Sequence, residues 1–135
     1  GQASVKRQGR DVTIVTYSRQ TLYSLEAAEK LAGEGIDAEV IDLRCLNPLD
    51  METVVKSVQK TNRVVIVAED VKTAGVSAEI SAKITETAFD YLDAPVVRCA
   101  GKDVPLPCVG HLERAAIPSV DEIAQTVRDL CQGRI

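Results

Sequence analysis

At 135 residues and 45% hydrophobic, the chain suits one compact domain that buries roughly two-thirds of the surface its unfolded form exposes. One Phe, three Tyr and no Trp leave few stacking surfaces for bases or sugars, and a net charge of -4, from 20 acidic and 16 basic residues interspersed, forms no basic stripe. A nucleic-acid reader and a protein of the anionic membrane surface are thereby disfavoured; no apolar run reaches membrane-spanning length, the N-terminus lacks a signal-peptide core, and a soluble, intracellular protein is expected.

Short β-branched runs alternate with amphipathic segments, the pattern of an α/β sheet built from crossover units. A first strand is predicted over 12–17 (VTIVTY), then a helix whose buried face is read as Leu22, Leu25, Ala28 and Ala32 and which closes at Gly33 and Gly35. The next strand, 38–43 (AEVIDL), leads through NPLD to a helix with Met51, Val54, Val55 and Val58 on one face and Asp50 as its cap. Residues 63–69 (RVVIVAE) are apolar nearly throughout, which implies helices on both faces of a parallel sheet. Ile80, Ile84, Ala88 and Leu92 mark another helix, and 95–99 (PVVRC) another strand. The last helix is the clearest: Val120, Ile123, Ala124, Val127, Leu130 and Cys131 form a stripe, while Ser119 and Glu122 spell a capping box after Pro118.

Site chemistry is sparse. Cys45, Cys99, Cys108 and Cys131 form no CxxC pair and sit beside apolar stretches, so they read as reduced, buried thiols. Cys108 and His111 have metal-ligand spacing, but no second ligand pair completes a tetrahedral shell, and His111 is the single histidine available for nucleophilic catalysis. The stretch VAEDVKTAGVSAEI (67–80) runs from strand through turn to helix and raises the possibility of a phosphate loop. Such loops need several backbone N–H groups converging free of Cβ atoms, hence glycines at fixed offsets, and here Gly75 stands alone. The first strand-to-helix turn, TYSRQTL, has no glycine where a dinucleotide fold places three, and Tyr17 and Ser18 stand where a response regulator carries acids. The stretch is therefore read as a joint. Were the chain a free-standing small-molecule binder or enzyme, its site would lie at the carboxyl ends of the strands, among Asp42, Arg44, Glu69 and Asp70.

Five blocks carry a resemblance: GRDVTIVTYSR, AEVIDLRCLNPLD, SVQKTNRVVIVAED, GVSAEI and AFDYLDAPVVRCAGKDVPLP. In this order and nearly this spacing they resemble the C-terminal domain of the beta subunit of thiamine-diphosphate-dependent 2-oxo acid dehydrogenases, a domain shared more distantly with transketolase. Pyruvate dehydrogenase is the nearest likeness, with acetoin and branched-chain enzymes as near relatives. The likeness covers almost the whole chain. Cys108 stands where the family usually has Tyr, and Ala74-Gly75 where it usually has two glycines.

The resemblance implies a three-layer α/β/α fold with a five-stranded, mostly parallel mixed sheet and an antiparallel edge strand, ASVKR. It implies that residues 1–135 form a single C-terminal assembly domain, with the catalytic N-terminal part of the parent subunit elsewhere. On this likeness the parent decarboxylates a 2-oxo acid with thiamine diphosphate and magnesium and passes the acyl group to lipoamide, in the bacterial cytoplasm or the mitochondrial matrix. The domain itself is expected to hold no cofactor and no catalytic residue. Its expected partners are the alpha subunit and second beta subunit of the parent heterotetramer and the subunit-binding domain of a dihydrolipoyl acyltransferase. On the resemblance Asp93 and the Ile135 carboxylate correspond to the family's acyltransferase-docking groups, and Arg134, beside that carboxylate in the chain, either neutralises its charge or turns the end aside. Glu69, Asp70, Val71 and Lys72 are expected at a subunit interface, because a loop at the end of a central strand is well placed for contacts.

Overall fold

A computed structural model describes residues 1–103 and 116–135. In chain order they form β1 (Ser4–Arg7), β2 (Val12–Thr16), α1 (Gln20–Ala32), β3 (Ala38–Asp42), α2 (Met51–Thr61), β4 (Val64–Val71), α3 (Val76–Ala88), a 3-10 turn (Phe89–Tyr91), β5 (Val97–Gly101) and α4 (Val120–Cys131). The five strands make one mixed sheet in the order β1-β3-β2-β4-β5, with β1 antiparallel to β3 and the other neighbours parallel. This is the expected architecture, including the antiparallel edge strand within ASVKR.

Strand alternation sorts the core into two layers. Ile14, Val65 and Val67 face α1 and α4, where they meet Ala27, Ala28, Leu31, Ile123, Ala124 and Val127. Val15, Val64 and Ile66 face the opposite way, onto Val54 and Val58 of α2 and Ile80, Ile84 and Ala88 of α3. Buried on both faces, β4 must be apolar at successive positions, which is why its sequence does not alternate. A hydroxyl cluster joins β2 to α2: Thr13 Oγ1 lies 2.6 Å from both Ser57 Oγ and Thr61 Oγ1.

The caps explain most helix ends. Asp50 Oδ1 accepts from Thr53 N at 3.2 Å, and Ser119 Oγ accepts from Glu122 N at 3.1 Å. The Glu122 carboxylate lies 3.4 Å from the Ser119 hydroxyl that donates to it, closing the box through the side chain. Of the two glycines after α1, only Gly35 is left-handed, at φ +84°. Asn62 ends α2 in the same conformation.

One helix face differs from expectation. α1 buries Gln20, Thr21, Ser24, Ala27, Ala28 and Leu31, whereas Leu22 is 68% exposed and Ala32 lies outward. Polar side chains, Gln20, Thr21 and Ser24, occupy the inner face near the start of α1, so a stripe drawn through aliphatics alone is rotated. Two thiols also depart from the sequence reading: Cys99 is buried, but Cys45 and Cys131 are only half-buried. Cys108 and His111 lie outside the described residues.

Candidate subunit-contact surfaces

The carboxyl end of β4 is built by a mismatch in strand length. β4 and β5 pair in register from Val65↔Val97 to Val67↔Cys99, then the ladder slips so that Val71 faces Gly101. The extra residues on β4 carry it two positions beyond the predicted end and bring Val71 to the surface, 42% exposed. Glycine is required at both contacts with this bulge. A Cβ on Gly101 would run into the carbonyl oxygen of Glu69, and one on Gly75 into that of Val71.

The turn beyond is clasped to the β5 side. Lys72 N donates to Gly101 O at 3.0 Å, and Thr73 N donates to Asp103 Oδ1 at 2.9 Å while the Thr73 hydroxyl binds Asp103 Oδ2. These two bonds from Thr73 hold the Asp103 carboxyl below its ordinary range. Donors that an anion would need are thus engaged by a carboxylate, and the geometry is that of a joint. Glu69 is paired with Arg19, and Asp70 faces Tyr17. Burial first, and the Asp70 charge second, push the Tyr17 hydroxyl well above its usual range. Asp42 Oδ1 accepts from Arg44 N at 3.0 Å, and Arg44 adopts φ +63°. The structure therefore groups Glu69, Asp70, Val71 and Lys72 on one bulged strand end, two half-buried acids followed by an outward valine.

Asp93 lies at the opposite, amino edge of the sheet. Its backbone N–H donates to Asn62 O at 2.9 Å, and Asn62 Nδ2 donates to Tyr91 O at 2.7 Å. The left-handed Asn62 so fixes the turn before β5 and leaves the Asp93 side chain exposed. Beside it opens a cavity of about 500 Å3 lined by Ser81, Thr85, Phe89, Leu92, Asp93, Ala94, Pro95 and Val96. Phe89 is 68% and Tyr91 42% exposed. Sequence reading did not single out these two aromatics. The signal was there: Phe89 falls one residue after the Ile80, Ile84, Ala88 stripe, which turns it about 100° off the buried face.

The chain's end reaches the same edge on the other helical layer. α4 packs against α1, and the Cys131 thiol at its last turn feels the charges of Arg63 and Asp11, which precede β4 and β2. Gly133 at φ +73° ends the helix with Gly133 N donating to Leu130 O at 3.3 Å and Arg134 N to Asp129 O at 2.8 Å, a Schellman closure. Arg134 does not turn toward the terminal carboxylate; its Nη2 and Nε bind Asp129 Oδ1 at 2.8 and 3.0 Å. Ile135 is exposed. Asp93 and the last turn of α4, which leads to Ile135, thus lie toward the same edge of the sheet.

Among the described residues no group of three or more His, Cys, Asp or Glu is arranged to hold a metal ion. A five-stranded sheet with this order and an antiparallel β1, covered by helices on both faces, is a three-layer α/β/α domain. The chain belongs to the family described as Transketolase, C-terminal domain, whose model matches residues 1–123.

Its relatives are more particular. It is 51% identical over 131 residues to the mitochondrial pyruvate dehydrogenase E1 component subunit beta-1 of Arabidopsis thaliana, covering 97% of this chain and 36% of that one. The pyruvate dehydrogenase E1 component subunit beta of Rickettsia felis is 50% identical over 131 residues, with 97% and 40% covered. Among solved structures, a split-gene transketolase described as an inactive beta4 tetramer superposes with a TM-score of 0.84 at 29% identity, covering 97% of this chain and 42% of that one. A 2-oxoglutarate:ferredoxin oxidoreductase from Magnetococcus marinus, at 17% identity and a TM-score of 0.65, shares the fold. The chain spans 36% to 40% of the length of these two beta-subunit relatives.

Proposed function

We propose that this chain is the non-catalytic assembly domain of the beta subunit of a pyruvate or related 2-oxo acid dehydrogenase. The observation that carries this reading is identity near 50% with such subunits along 97% of the chain. The parent decarboxylates the 2-oxo acid with thiamine diphosphate and magnesium and transfers the acyl group to lipoamide, while this domain holds neither cofactor. Its carboxyl-edge residues Glu69, Asp70, Val71 and Lys72 meet the alpha subunit or the second beta subunit. Its amino edge, through Asp93 and the Ile135 carboxylate, receives the subunit-binding domain of the dihydrolipoyl acyltransferase, in the cytoplasm of a bacterium or in the mitochondrial matrix.

The physical support for docking is electrostatic. The Asp93 carboxylate, on a turn whose backbone is held by Asn62, and the terminal carboxylate, left unneutralised by Arg134, can each accept charge-assisted hydrogen bonds and steer a basic partner. Asp93→Ala together with deletion of Ile135, in the assembled enzyme, is expected to weaken binding of the acyltransferase's subunit-binding domain by roughly 2–5 kcal/mol per lost pair and to flatten its salt dependence. Unchanged affinity at low and moderate salt, measured by calorimetry, would place the docking surface elsewhere.

A further inference from the structure

The cavity beside Asp93 combines two chemistries. Phe89, Leu92, Ala94, Pro95 and Val96 give it apolar walls, Ser81 and Thr85 add hydroxyls, and among its described lining residues Asp93 alone is charged. Among the described residues no lysine or arginine lines it, so they offer nothing to neutralise a phosphate or an organic acid. Glu86 and Asp90, exposed on the adjoining helix end and turn, add negative charge to this stretch of the chain, which also carries Lys83. The chain holds one Phe and three Tyr, and the Phe and one Tyr stand exposed on this one turn. Isolated exposed aromatics are ordinary; an exposed phenyl on the rim of a concave apolar surface, with a carboxylate beside it on a hydrogen-bonded turn, is what an anchor pocket requires.

We infer that the groove between α3 and the start of β5 is a docking pocket for a protein segment that presents one apolar side chain flanked by lysine or arginine. The apolar group enters between Phe89 and Pro95, and the cation meets Asp93. This deepens the reading above, on which it rests: it states what the acyltransferase's subunit-binding domain must carry where it meets Asp93, and it assigns Phe89 and Thr85 to specificity. The carboxylate gives steering and register, and the aromatic wall gives residence time, since an apolar anchor is desolvated only in the bound state.

The assembled enzyme, titrated with the isolated subunit-binding domain, tests this with three variants. Phe89→Ala removes the wall, Thr85→Trp fills the groove, and Asp93→Ala removes the carboxylate; Phe89 and Thr85 are exposed, so each variant is expected to fold, and circular dichroism checks it. Phe89→Ala and Thr85→Trp should each weaken binding about tenfold or more, with a loss that persists at high salt, whereas the Asp93→Ala loss should shrink as salt rises. If Asp93→Ala weakens binding while the other two do not, the groove is not the anchor pocket and the docking reading stands. If none of the three weakens binding, both fall. If Phe89→Ala changes the sedimentation of the enzyme itself, a subunit covers the groove and the inference is overturned.

Discussion

Glu39 is a charged residue on a central part of the sheet, 3% exposed, and the reason it can be there is its set of partners. Its Oε1 accepts from Gly9 N at 3.1 Å and from Lys60 Nζ at 2.5 Å. Burial alone would raise its pKa, but hydrogen bonds from Lys60, Ser57 and Gly9, with the Lys60 charge, outweigh burial and hold the carboxyl below its ordinary 4.5. A carboxylate with a lowered pKa in the fold binds fewer protons than in the unfolded chain. Its stabilisation is therefore fully present above pH 4.5 and is lost as pH falls through the lowered value. Glu39→Gln should lower stability at pH 7 by about 1–3 kcal/mol, and urea titrations should show a smaller difference from the parent chain as the pH is taken below that window. A difference that does not narrow in acid would mean that the amide's shape, rather than the missing charge, causes the loss.

At the scale of elements, the bulged end of β4 depends on glycine at Gly101. Gly101→Ala puts a methyl group against the Glu69 carbonyl, so either β5 retreats or the bulge reorganises. The expected loss is about 1–3 kcal/mol, with faster hydrogen exchange at the Lys72 amide, which donates to Gly101 O. Exchange at Lys72 unchanged from the parent would show the bulge tolerating the methyl group. These elements differed in how plainly their residues announced them. The β-branched runs around Ile14, Val40, Ile66 and Val97 located the four parallel strands because a doubly covered strand has no polar face to confuse the pattern. α4 was read correctly because its stripe and cap agree. The inner face of α1 was not, because Gln20, Thr21 and Ser24 are buried there and hydropathy cannot rank a buried serine above an exposed leucine. The strand slip that surfaces Val71 was invisible as well, since register belongs to two strands at once.

For the whole molecule, the proposed function assigns subunit contact to the carboxyl edge of the sheet and docking to the amino edge. Val71→Asp changes only an exposed position, so the domain should remain folded, while association of the parent enzyme's subunits weakens, read as a shift to smaller species in sedimentation velocity. An unaltered sedimentation profile would remove Val71 from the interface. Asp93 is singled out in the chain only by the resemblance of its DAP segment, and the groove beside it is not legible there at all, because its walls come from α3 and from the run into β5 and only the fold brings them together.

The antiparallel strand β1 has a consequence for solubility. It is short, its ladder to β3 slips between Val5 and Arg7, and it carries Lys6 and Arg7. Where backbone pairing gives out, the Arg7 side chain takes over, its Nη1 donating to Ala38 O at 2.7 Å and to Asp37 Oδ1 at 3.0 Å. β1 thus covers the open ladder of β3 while offering a poor template itself, being bulged and cationic. A chain shortened to begin at Gly9 would leave the edge of Ala38–Asp42 bare, a straight run ready to pair with the same run of another molecule, and light scattering would find it aggregating at concentrations where the full chain stays clear.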